Sequence, residues 1–195
     1  MIPQDITQTL TALFGEAVRV NEPESWQIEG ENLRLLVLLS EDQSWLRSLI
    51  TIAPAQEAAP YLAQLLEANF DETQETRYAL FQNLLWGVFH HSMATLTSED
   101  FQAAIARLVT LHQQGLSDSF SRFAEAQVRQ IIRAAKMQGQ SLAATLQSLE
   151  RFYEEGVMGD LDASAGDRST VLSAWRYQLE RLWDEESQDK SQDEA

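Results

Sequence analysis

Apolar residues recur along the chain with two different periods. Ile6, Leu10, Leu13 and Phe14 fall three or four apart on one helical face, with Asp5 placed to cap the first turn and Gly15 to close the last. The period then drops to two. Val18 and Val20 alternate with polar neighbours, and Trp26 and Ile28 point one way while Gln27 and Glu29 point the other. This stretch reads as one short strand interrupted at Pro23. Leu33 to Ser40 is apolar on both faces apart from Arg34, the pattern of a central strand covered on both sides. "WLRSLITIAP" reads as its hairpin partner, with Leu46, Ile50 and Ile52 on one face broken by Ser48, and Arg47 and Thr51 on a wetter one.

Helical spacing returns in "YLAQLLEANF", where Leu62, Leu65, Leu66 and Phe70 form a stripe and Pro60 falls in the tolerant first turn. Arg77 to Met93 carries the aromatic and β-branched types that suit a pleated surface, with a bend at Gln82 and Asn83 and a close approach or bulge at Gly87. A further helix opens at Thr97 or Ser98, presents Phe101, Ile105, Leu108 and Val109, and ends at Gly115. Beyond it the pattern is helical alone, through stripes such as Phe120, Phe123, Ile131; Leu142, Leu146, Leu149; and Trp175, Leu179, Leu182, with a Gly, Asp and Ser-rich loop from Gly156 to Ser169.

The predicted fold is therefore α+β, an antiparallel sheet of about five strands in the order α-β-β-β-α-β-β-α, followed by an all-helical extension. The division expected is an α+β domain over residues 1-115, a helical extension over 116-186 and a disordered acidic tail over 187-195.

Composition narrows the function. The chain has no cysteine, which removes thiolate chemistry, disulfides and Cys-ligated metals. Thirty acidic residues against fourteen basic ones give a net charge of -16, a field that repels nucleic acid and anionic lipid. No window has the length of a membrane span and the first residues lack a signal-peptide pattern, so a cytoplasmic protein is expected. Arg129, Arg133 and Lys136 share one helix face, either paired with acids such as Glu125 or forming a docking stripe for an acidic partner.

No catalytic, cofactor or metal site is read. His90 and His91 are adjacent and point to opposite faces of a strand, which suits a structural role better than a shared metal. There is no GxSxG, and "GDLDASAGD" sets three aspartates where a phosphate cradle needs none. Neighbouring carboxylates such as Glu185 and Glu186 read as water-facing helix ends. The tryptophans read as core, with Trp183 also suited to anchoring a helix in a groove.

The helix ending in Asn69-Phe70, the aromatic strand pair after it and "LTSEDFQAAIARLV" resemble the type III secretion chaperone-like superfamily, which includes the YbjN-type domains. The resemblance spans Ile6 to about Leu111. It implies a sheet with packed helices, frequent dimerisation and binding of protein segments, with no catalytic residue to carry over.

The function expected is a non-enzymatic, chaperone- or assembly-factor-like module that holds a protein segment in an apolar groove or on a sheet edge. Leu62, Leu65, Leu66, Phe81, Trp86 and Phe89 form or border the expected groove, and Arg129, Arg133, Lys136 and Trp183 are further partner-contact candidates. The alternative is an enzyme or small-ligand binder with a pocket between the sheet and the C-terminal helices.

Overall fold

The computed structural model describes residues 1–21, 25–30, 32–154 and 165–188. The chain divides into two compact units, Met1–Phe120 and Ser121–Ala195.

The first unit is α+β. Helix α1 (Pro3–Phe14) leads through a 3-10 turn (Gly15–Ala17) into β1 (Val18–Asn21), β2 (Ser25–Glu29), β3 (Arg34–Leu39) and β4 (Trp45–Pro54). Two short helices, α2 (Ala55–Ala58) and α3 (Leu62–Ala68), are joined by a 3-10 turn, and β5 (Thr76–Phe81), β6 (Leu84–Ser92) and α4 (Ser98–Gln114) follow. All neighbouring strands are antiparallel, in the order β1-β2-β3-β4-β6-β5.

The described residues form six strands where about five were expected. Residues Val18 to Glu29 form two strands paired with each other, Val20 opposite Trp26 and Val18 opposite Ile28, not one interrupted strand. The β5–β6 hairpin turns at Gln82 and Asn83 with φ of 50° and 60°. Two consecutive positive φ values are the two-residue turn whose twist matches that of the flanking strands.

One face of the sheet carries the core. Trp26, Ile28, Leu35, Val37, Leu46, Ile50 and Phe89 are buried there with Ile6 and Leu10 of α1 and Phe101, Ile105 and Leu108 of α4. Gly87 lets α4 approach, since a Cβ at that position would lie 3.0 Å from Ile50 Cγ2 and 3.2 Å from Leu108 Cδ2. The bulge lies opposite, in β4 between Thr51 and Ala53. Ser48 is fully buried within this apolar face, and its hydroxyl has no hydrogen-bond partner.

The expectation that β3 is covered on both sides does not hold. Leu35 and Val37 are buried but Leu36 and Leu38 are half-exposed, because α1 and α4 pack on the face of Leu35 and Val37. Leucines on that strand therefore indicate apolar surface as well as core.

Three local features also differ from the sequence reading. Helix α1 starts at Pro3, and Asp5, inside its first turn, accepts a hydrogen bond from the Ile2 amide at 2.9 Å instead of acting as the cap. The "YLAQLLEANF" helix is preceded by α2, with Pro60 in the 3-10 turn between them. Its stripe is also split: Leu65 is buried, while Leu66 is 68% and Phe70 95% exposed. Helix α4 is capped as read, with Thr97 Oγ1 accepting from the Asp100 amide at 3.1 Å.

The second unit contains most of α5 (Ser117–Met137), with α6 (Leu142–Glu154) and α7 (Ala165–Gln188). Val128, Ile132, Leu149, Leu179 and Leu182 form its core. Helix α7 begins inside the segment read as a loop and reaches Gln188, two residues past the expected end of the extension at 186. Residue 155, residues 156–164 of that loop and 189–195 of the acidic tail lie outside the described residues. No described helix is long and apolar enough to cross a membrane.

Candidate functional site

The most exposed apolar side chains of the first unit stand on α3 and β5. Leu66 and Phe70, four residues apart, project from the outer side of α3 and its C-terminal end, while Leu80 (49% exposed) and Phe81 (65%) end the edge strand β5. Asn69 joins the two elements. Its Oδ1 accepts from the Tyr78 amide at 2.7 Å and its Nδ2 donates to the Tyr78 carbonyl at 3.2 Å.

That contact decides how the edge can be used. In an edge strand alternate residues turn their amide and carbonyl away from the sheet, and another chain can pair with them. Tyr78 is such a residue, and Asn69 occupies both of its groups. The Thr76 amide is taken as well, by the Thr73 carbonyl at 3.0 Å. Backbone pairing at this edge is therefore blocked at its middle, and what the corner offers a partner is apolar side-chain surface.

The residues expected to border one groove occupy several environments. Leu65 is buried in a small cluster with Ala58 and Leu85, and Leu62 is packed against it. Phe89 is buried in the main core. Leu66 and Phe81 are exposed at the α3–β5 corner. Trp86 is half-exposed on the sheet face opposite the helices, and its indole donates to the Phe81 carbonyl at 2.9 Å.

In the second unit the basic stripe faces α7. Arg129 pairs with Glu125 at 2.9 Å, Glu185 at 2.8 Å and Glu186 at 3.3 Å, and Arg133 pairs with Glu186 at 2.8 Å. Lys136 donates to the Trp183 carbonyl and lies 5.0 Å from the centre of its ring. Trp183 is half-buried against the helical core. Glu186 corrects the reading of paired carboxylates as water-facing: its side chain is 4% exposed. The hydrogen bond from Arg133 holds its carboxyl below the usual range, against the opposing effect of burial, and a bond from Arg129 adds to it.

The histidines divide as their alternation requires. His90 is exposed beside Trp45, 4.7 Å between ring centres, while His91 is half-buried and stacked on Phe89. Burial, and then the charges of Arg47 and Arg77, lower the pKa of His90. His112 bridges elements, with Nδ1 2.6 Å from the Thr51 carbonyl and Nε2 2.5 Å from the Asn32 carbonyl. Among the described residues no group of three or more acidic or histidine side chains could hold a metal.

Sequence reasoning missed Asn69 as an edge plug and Phe70 and Leu80 as surface. The apolar spacing puts Phe70 in one stripe with Leu62, Leu65 and Leu66 only if the helix continues through it. In the structure α3 ends at Ala68, so the period that would have turned Phe70 inward stops before it.

No protein-family model matches the chain, and no curated protein matches it. Solved structures similar to it include the ExsC–ExsE complex, at 13% identity over 58% of this chain and 90% of that one, with a TM-score of 0.46. The HopA1–SchA chaperone–effector complex is similar at 11% identity over 58% and 94%, also with a TM-score of 0.46. The Yersinia pestis type III secretion chaperone SycH, in complex with a stable fragment of YscM2, is similar at 12% identity over 58% and 98%, again with a TM-score of 0.46. The third carries the name of the family that the sequence resembles.

Proposed function

We propose that the chain is a cytoplasmic, non-enzymatic, chaperone-like module that holds a segment of another protein on the apolar corner made by α3 and β5. The observation that carries this reading is the exposure of Leu66 and Phe70 at α3 together with Leu80 and Phe81 at the end of β5, two elements joined by the Asn69–Tyr78 contact. Exposed apolar clusters in a soluble protein mark contact surfaces. Covering Leu66 and Phe70 would contribute roughly 1.5–3 kcal/mol each. Because Asn69 occupies the edge at Tyr78, the partner is held by side chains rather than as an added strand.

The test is affinity purification from the native host with the wild-type chain and with L66D/F70D, with light scattering on both proteins to follow self-association. Both positions are exposed, so the double variant should keep the wild-type melting temperature. Proteins retained by the wild type and lost by the variant are the expected result. An identical set of bound proteins from a folded variant would remove this corner as the binding site.

A further inference from the structure

The face of the sheet opposite the helices has a composition unlike the rest of the molecule. Residues 1–120 contain five arginines and no lysine, and four of those arginines, Arg19, Arg34, Arg47 and Arg77, stand at strand positions of this one face. Their alternation with buried neighbours and the register fix the placement. Arg19, Gln27, Leu36, Leu49, Val88 and Arg77 lie side by side across all six strands, and Leu38, Arg47 and His90 form the next row. Sixteen acidic residues occur in the same 120, yet Glu29 is the one acid among the strand positions of this face. Charge is therefore segregated: the sheet face opposite α1 and α4 is the cationic one.

Glu29 does not neutralise it. Arg19 and Arg34 both reach Glu29, each at 3.8 Å and each with its side chain mostly exposed. Arg47 lies over the Trp45 ring at 5.0 Å, and neither Arg47 nor Arg77 has a carboxylate within ion-pairing distance among the described residues. Between the arginines runs an apolar row. Leu36, Leu49 and Val88 are direct cross-strand neighbours, Leu38 and Trp86 flank them, and all five are half-exposed. None of them belongs to a buried core cluster. With strands about 4.8 Å apart, six span roughly 24 Å, enough for a helix or an extended segment to lie across.

We propose that this open face docks an acidic amphipathic segment of a partner protein, one whose aliphatic side chains cover Leu36, Leu49 and Val88 and whose carboxylates meet Arg47 and Arg77. Arginine suits the role because its planar fork bonds a carboxylate bidentately and stacks on aromatic rings. The apolar row is needed as well. The net charge of -16 opposes the approach of any anion at long range, and salt screens beyond about 8 Å under physiological conditions, so the local cations act only at contact. A purely anionic ligand has only those contact pairs to set against the repulsion, whereas a segment that also buries aliphatic surface has a second source of affinity.

The experiment is fluorescence anisotropy with the full chain and labelled synthetic peptides. One peptide alternates leucine or isoleucine with glutamate, a second replaces each glutamate with lysine, and a third is oligoglutamate. The expected result is saturable binding of the first alone, weakened at least tenfold by R47E/R77E, largely restored by R47K/R77K and unaffected by L66D/F70D. Circular dichroism of each variant confirms folding. Failure of the first peptide to bind, equal binding of the lysine peptide, or unchanged affinity in folded R47E/R77E would overturn the proposal. Equal or tighter binding of a single-stranded oligonucleotide or of phosphatidylserine vesicles would also overturn it. Because L66D/F70D leaves this face intact, loss of binding at the α3–β5 corner and loss here are separate outcomes.

Discussion

Gly87 sits where helix and sheet come closest, and the absence of a side chain there sets the distance between them. A methyl group would meet the Ile50 Cγ2 and Leu108 Cδ2 atoms, both on fully buried side chains of the core. G87A is expected to cost about 1–3 kcal/mol by overpacking, read from urea unfolding. An unchanged midpoint would show that α4 can withdraw without loss. Trp86, one position earlier, points the other way and is half-exposed. Its loss should accordingly cost less than that of a core aromatic, for which about 3–5 kcal/mol is usual.

Among the elements, the β5 edge shows how a side chain can shape an interaction mode. Asn69 supplies one acceptor and one donor to Tyr78 and so replaces the strand that would otherwise dock there. N69A should destabilise the first unit by about 1–3 kcal/mol, since two backbone groups lose their partner. It should also make the protein self-associate as concentration rises, visible in sedimentation velocity; a variant that stays at the wild-type sedimentation coefficient would mean that the edge is protected by something else. The strand and helix order was legible in the sequence wherever one face alone is buried, as in β4, where Leu46, Ile50 and Ser48 alternate with Arg47 and Thr51. It was less legible in β3. A run of leucines has no alternation to distinguish a strand covered twice from one whose second face is an apolar surface, and that ambiguity concealed half of the open face. The β5–β6 bend was readable from Gln82 and Asn83 despite the missing glycine, because asparagine tolerates positive φ. Asn69 was not readable, since its role depends on a residue nine positions away.

At the scale of the whole molecule, acid acts on the second unit through its ion-paired glutamates. Within the second, Glu186 and Glu125 both have depressed carboxyl pKa values: Glu186 through bonds from Arg133 and then Arg129, Glu125 through bonds from Arg181 and then Arg129. A carboxyl depressed in the folded state stabilises the fold above its unfolded pKa and ceases to do so as pH falls through the folded value. The helical unit should therefore lose stability below about pH 4.5, where unfolded glutamates begin to take up protons. In E186Q the fall in melting temperature between pH 7 and pH 3 should shrink, at a cost of about 1–2 kcal/mol at neutral pH. Equal pH sensitivity in wild type and variant would show that this cluster does not control the acid transition. The cationic sheet face has a practical consequence of another kind. Since its charge is carried entirely by guanidinium groups, reagents that acylate amines find no side-chain target from residue 1 to residue 120 and act on Lys136 and Lys190 instead. Apart from the Met1 amine, which donates to the Met93 and Leu96 carbonyls, a dye coupled that way marks the helical half, and the side chains of both proposed contact surfaces enter any optical assay chemically unaltered.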